Sequence, residues 1–182
     1  LKALLKHQEV EVCLVRWPVN EEAPFRFEFD KRMQVYVRDE LDQEQLNDLA
    51  TSFQPDLIFV SGWMDKGYLK AVSPFKAKGV PVIAGIDNQW EGNMRQQAAT
   101  LLSPILVKKY FTHMWVPGLR QYEYARKLGF ERLNIRLGYY SADVAAFASV
   151  YHQYGPEKDA QYPRRLLYVG RLIPHKGIKE VV

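Results

Sequence analysis

Apolar residues along this chain gather in short unbroken runs: Glu11–Val15 reads EVCLV, Asp56–Val60 DLIFV, Val80–Gly85 VPVIAG and Arg165–Gly170 RLLYVG. A strand with one face in water alternates apolar and polar positions, whereas continuous runs suit strands covered on both faces by helices. Helical periodicity fills the gaps. In DQEQLNDLATSF, Leu46, Leu49, Ala50 and Phe53 share one face, and Asp42 and Gln45 are spaced as a capping box. From Asp65 to Lys78, Tyr68, Leu69, Val72 and Phe75 repeat the design, with Gly79 placed to end the helix and Pro74 expected to kink or split it. In RQQAATLLSPILVKKYF, Ser103 reads as an N-cap and Pro104 as the first residue of a second helical piece. FTHMWVP then reads as a strand, Leu119 to Leu128 as a helix closed by Gly129, and LNIRLG as a short strand.

Strands alternating with helices predict an α/β fold: a Rossmann-like, doubly wound parallel sheet over residues 1–150. The stretch SVYHQYGPEKDAQYPRR breaks the rhythm with Gly155, Pro156 and Pro163, so residues 151–164 read as a linker. The pattern restarts at residues 165–182 as the first strand, loop and helix start of a second domain. In the strand order 3-2-1-4-5-6, EVEVCLV, MQVYV and DLIFV fit the second, third and fourth strands. A first strand between EVEVCLV and DLIFV is then missing, which predicts an open slot there.

Composition narrows the function classes. The chain of 182 residues is 47% hydrophobic and 25% charged, as ordinary globular chains are. A net charge of +4 is too mild and scattered to indicate nucleic acid. No apolar run is long enough to span a bilayer and no leader-like segment opens the chain, so the expected location is cytoplasmic. LLSPILVKKYF joins apolar residues to Lys108, Lys109 and Tyr110. It suits either a core helix or an interfacial helix that brings the protein to the inner face of a membrane. The single cysteine, Cys13, excludes a disulfide framework and reads as core, and the four histidines lie far apart, so neither a metal nor another cofactor is expected.

Ligands of open α/β sheets bind at the carboxyl ends of the strands, where helix N-termini attract phosphate. Gly170 ends a strand at such a place, Arg171 adds a planar fork for phosphate oxygens, and Lys176 adds a mobile cation. The spacing is not that of a Walker A loop. Other loops at the same edge supply Ser61, Trp63, Asp65 and Lys66 from VSGWMDKG, and Asp87, Asn88, Gln89 and Trp90 from GIDNQWEG. Carboxylates, amides and indoles suit a sugar, whose hydroxyls need acceptors and donors while its apolar face stacks on a ring. The plain alternatives are an N-cap at Asp65, a turn at Asp87 and Asn88, and packing at either tryptophan.

LLYVGRLIPHKGIKEVV resembles the opening of the donor domain of the group 1 (GT4-like) family of retaining glycosyltransferases with the two-domain GT-B fold. THMWVPGLRQYEYARKLGFERLNIRLGYYSADVAAF is similar to the end of that family's N-terminal domain. It departs from the pattern at Leu137, where the family has Asn, and at the aromatic residues that follow. The resemblance implies an acceptor-side domain over residues 1–150 and the start of a nucleotide-sugar-binding domain at 165–182. It also implies that Arg171 and Lys176 hold the donor's diphosphate beside Gly170, with no metal required. Asp87 would orient the acceptor hydroxyl or take its proton, and Ser61, Trp63, Asp65, Asn88 and Tyr139 would line the acceptor side. The implied partners are a nucleotide-sugar donor and a glycan or lipid-linked acceptor. Against that family's pattern the chain looks cut at both ends, and these residues alone are expected to be inactive. Two other readings remain open: a non-catalytic Rossmann-like module that binds a nucleotide or sugar, and a nucleotide-sugar epimerase of the same architecture.

Overall fold

A computed structural model describes residues 4–6, 10–19, 28–161 and 168. The chain divides into two compact units, one formed by Leu1–Pro18 and Glu28–Ser141, the other by Val19–Phe27 and Ala142–Val182. The described residues form an α/β structure with six α-helices and parallel strands in two sheets.

In the first unit β1 (Val12–Arg16) pairs in parallel with β2 (Met33–Val37), placing Leu14 opposite Val35. Helix α1 (Gln43–Phe53) follows, then β3 (Ile58–Ser61), α2 (Lys66–Ala77), β4 (Val82–Gly85), α3 (Met94–Leu101), α4 (Ser103–Leu106), β5 (His113–Val116), α5 (Leu119–Lys127) and β6 (Ile135–Leu137). The last four strands form one parallel sheet in the order β3-β4-β5-β6. β1 and β2 form a separate sheet, and β1 makes no ladder with β3. Val12 and Leu14 do not pair with Leu57 or Phe59, and a cleft lies between β1 and β3.

Several local signals act as expected. Asp42 caps α1 through a full capping box, accepting from the Gln45 N–H while the Gln45 side chain accepts from the Asp42 N–H. Gly129 has φ +85° just after α5, a conformation that favours glycine because a Cβ would crowd the backbone. Pro74 neither splits nor ends α2, which runs through it to Ala77. Ser103 is not a cap either: Leu102 precedes α4, and the buried Ser103 Oγ donates to the Leu128 carbonyl at 2.6 Å. That bond satisfies an otherwise orphaned carbonyl at the end of α5.

One face of the four-stranded sheet carries the core. Val60, Val82, Ala84, Met114, Val116 and Ile135 pack with Leu69, Val72 and Phe75 of α2, Val107 and Phe111, and Tyr124, Ala125 and Leu128 around α5. Met114 and Val116 are fully buried, yet Trp115 between them is 38% exposed and Phe59 on β3 is 41% exposed. Strands covered on both faces were expected from the continuous apolar runs. Instead burial alternates along β5, where Met114 and Val116 face this core and Trp115 between them does not.

In the second unit α6 (Val144–Ala160) begins at Asp143, whose side chain accepts from the Ala146 N–H. It continues through Gly155 and Pro156, so residues 151–160, read from the sequence as linker, are helical. The unit boundary falls after Ser141, before the expected end of the first domain at residue 150. The donor-side residues Gly170, Arg171 and Lys176 lie outside the described residues.

Candidate functional site

The carboxyl ends of β3 and β4 open into a cleft of about 430 Å³. Ser61 ends β3 and Gly85 ends β4, and the N–H of Gly62 donates to the Gly85 carbonyl at 2.9 Å, tying the two loops together as they leave the sheet. Ser61, Trp63, Asp87 and Asn88 line this cleft, four of the residues expected there. Trp63 also packs against the core, so its indole is held in place.

Asp65 is placed differently. Its carboxylate caps α2, accepting from the N–H groups of Gly67 at 2.7 Å and Tyr68 at 3.2 Å, and it lies 3.6 Å from the Arg38 guanidinium. Arg38 is in turn held by the Leu41 carbonyl and by the rings of Trp17 and Tyr68. Asp65 lines a second cleft, between β1 and β3, rather than the one holding Asp87. The N-cap alternative is thus the geometry found.

The loop carrying Asp87 and Asn88 is pinned from several sides. Gln96 Oε1 accepts from the N–H groups of Glu91 and Gly92, and Gln96 Nε2 donates to the Gln89 carbonyl at 2.7 Å. From α5, Gln121 donates to the Asp87 carbonyl and Arg120 to the Gln89 side chain. Trp90 is a packing residue, set against Tyr124 and under the Lys127 ammonium, whose nitrogen lies 4.8 Å from the ring centre. A loop fixed this way can hold an exposed carboxylate in one orientation without burying it.

Asp87 Oδ2 accepts from the Tyr140 hydroxyl at 2.7 Å. That bond, followed by burial and the nearby carboxylate charge, pushes the Tyr140 phenol up to about 12. Tyr139 stacks on Tyr140 with ring centres 5.0 Å apart and also meets Phe59 and Trp115. A row of aromatic side chains, from Phe59 within β3 and Trp115 within β5 to Tyr139 and Tyr140 after β6, therefore leads to Asp87. Tyr139 belongs to this row and is not among the residues lining the cleft. Sequence reasoning did not single out Tyr140, Arg95 or Gln96 for the site. The tyrosine doublet was visible, but only the tertiary approach of residues 53 positions apart gives Tyr140 its partner.

The expected interfacial segment divides its residues: Val107 and Phe111 are buried in the core while Ile105 and Leu106 are exposed. Among the described residues no helix is long and apolar enough to cross a membrane. The class of molecule defined here is an α/β protein with parallel strands and a polar cleft at their carboxyl ends. No protein-family model, curated protein or solved structure matches the chain.

Proposed function

We propose that this chain is the acceptor-side part of a retaining glycosyltransferase of the GT-B, Rossmann-like kind, which moves a sugar from a nucleotide-sugar donor to a hydroxyl acceptor. The observation that supports it is the convergence of Ser61, Trp63, Asp87 and Asn88 in one cleft at the carboxyl ends of parallel strands. Open α/β sheets bind ligands at that edge, and the side chains there match sugar chemistry.

In this reading the acceptor hydroxyl is the nucleophile. Asp87, exposed and set by its loop, orients that hydroxyl by accepting its hydrogen bond, exchanging the Tyr140 phenol for the substrate. Arg171 and Lys176 neutralise the charge that builds on the departing diphosphate, an electrostatic contribution made in the transition state. The amide of Asn88 and the indole of Trp63 position the ring. The same bond to Tyr140 favours a second reading, a sugar-binding module without catalysis, because a carboxylate engaged by a phenol is well placed to bind and less available as a base.

The two are separated in the full open reading frame that encodes this chain, assayed with a panel of nucleotide sugars. Sugar transfer with Asp87→Asn lowering kcat and leaving donor affinity intact is the expected result. Binding of glycans with no transfer from any donor would establish the module instead.

A further inference from the structure

We propose that the outward side of α3 and α4 docks on an anionic lipid bilayer, with its aliphatic side chains in the boundary between headgroups and acyl chains and its cations on lipid phosphates. Sugar transfer is not required for it. Backbone bonds run on from α3 into α4: the Leu102 N–H donates to the Ala98 carbonyl at 2.9 Å and the Leu106 N–H to the Leu102 carbonyl at 3.0 Å. Met94, Ala98, Leu101, Leu102, Ile105 and Leu106 recur along this rod at the spacing of one helix face. All six are exposed, Met94 to 86%, Leu101 to 80% and Ile105 to 61%, and α3 has no buried residue. The side turned inward is the less apolar one, carrying Gln96, Ala99, Thr100 and Ser103. Its contacts fix that orientation. Gln96 accepts from the N–H groups of Glu91 and Gly92, and the buried Ser103 hydroxyl donates to the Leu128 carbonyl. The rod cannot roll its aliphatic side inward without giving up these bonds.

Charge identifies the occupant. Helical turns continue past α4, where the Phe111 N–H donates to the Val107 carbonyl, and the exposed Lys108 and Lys109 follow Ile105 by three and four positions, on the same side. Lys76 comes to this end as well, its ammonium donating to the Lys108 carbonyl, while the exposed Arg95 stands at the other end. Burial, then the charge of Lys108, pushes the Lys76 ammonium down from its ordinary value. Between Glu91 and Glu123 the chain has no Asp or Glu. A second copy on this side would set Arg95 or the lysines of one chain against the cations of the other, with no carboxylate on the segment to offset them. Protein interfaces also rely on aromatic anchors, and the exposed apolar row has none. An anionic bilayer meets both parts of the surface, the aliphatic row by its acyl boundary and the flanking cations by its phosphates. At 1.5 Å per residue, residues 94–106 span about 20 Å, too short to cross an apolar core of about 30 Å and suited to lying along its surface.

The test is cosedimentation of the product of the full open reading frame with vesicles of phosphatidylcholine, either alone or with one third phosphatidylglycerol. Saturable binding to the anionic vesicles is expected, at least tenfold weaker on phosphatidylcholine alone. Leu101→Gln with Ile105→Gln should weaken binding to the anionic vesicles tenfold or more, and Lys108→Gln with Lys109→Gln should weaken it and flatten its dependence on salt. These side chains are exposed, so the circular dichroism spectrum should be kept; where a double variant does not fold, Leu101→Gln and Lys109→Gln alone decide. No binding to the anionic vesicles overturns the proposal, as does equal binding to both compositions. Binding that survives the glutamines at 101 and 105 shows that charge alone or another surface holds the lipid, and overturns it. Self-association without vesicle binding, dissolved by the same two substitutions in sedimentation velocity, shows a second copy as the occupant and overturns it too.

Discussion

At the scale of single residues the Asp87–Tyr140 pair is the most informative contact. The phenol donates to the carboxylate, and its titration is pushed up to about 12 from the ordinary value of 10.0. The sign follows from linkage: a group whose folded pKa is raised gives its stabilisation in full below the unfolded value and loses it as pH climbs through the folded one. The pair therefore supports the fold at neutral pH and ceases to do so between pH 10 and about 12. Ultraviolet titration of phenolate should show a late tyrosine transition, and Asp87→Asn should move it back toward 10. A spectrum unchanged by that substitution would mean that the pair is not formed in solution. Gly85 is a second sensitive position, since a Cβ there would come within 2.5 Å of the Phe59 ring and 2.9 Å of the Tyr139 ring. Gly85→Ala should displace these aromatic side chains and weaken the Asp87–Tyr140 bond, seen as a lower Tyr140 transition.

At the scale of elements, caps and clamps decide how firmly each piece is held. Asp65→Ala removes the cap of α2 and also leaves the half-buried Arg38 without its carboxylate, whereas Asp65→Asn keeps a capping oxygen. Loss of a cap costs about 1 kcal/mol, and stranding a charged partner adds a similar amount. Urea denaturation should therefore show a loss of about 2 kcal/mol for the alanine variant and about half that for the asparagine variant. No loss in the asparagine variant would mean that Arg38 gains nothing from Asp65, and equal losses would mean that the cap contributes nothing. In the loop before α3, Gln96→Ala deletes the acceptor for two backbone N–H groups. Faster amide exchange at Glu91 and Gly92, with the exchange of β4 unchanged, is the expected readout.

At the scale of the whole molecule, the proposed reaction needs donor contacts that the described residues do not contain. Residues 1–182 alone should transfer no sugar from any nucleotide sugar, and measurable transfer would show that the donor contacts assigned to Arg171 and Lys176 are wrongly placed. In the full open reading frame Arg171→Ala and Lys176→Ala should each weaken binding of a nucleoside diphosphate by about 1.5–3 kcal/mol, the worth of a hydrogen bond to a charged group. Isothermal titration with uridine and guanosine diphosphates measures this, and unchanged affinity in both variants would remove the phosphate assignment.

Much of the fold was legible in the chain because its causes are local. The runs MQVYV, DLIFV and VPVIAG became β2, β3 and β4, Asp42 and Gln45 formed their capping box, and Gly129 took a positive φ where the α5 helix stops. Each of these depends on a few neighbouring residues and on backbone sterics. Even the lack of a ladder between β1 and β3 among the described residues was readable, because parallel strands joined by helices admit few orders. Other features were decided only in three dimensions. Asp65 and Asp87 look alike in sequence, each a carboxylate in a loop after a strand. In the structure Asp65 is spent on a helix start and on Arg38, and Asp87 on a phenol 53 residues away. Ser103 had the sequence of a cap and became a buried donor to Leu128. A side chain's partner is set by which segments the packed core brings together, and that depends on contacts distant in sequence, which no local pattern encodes.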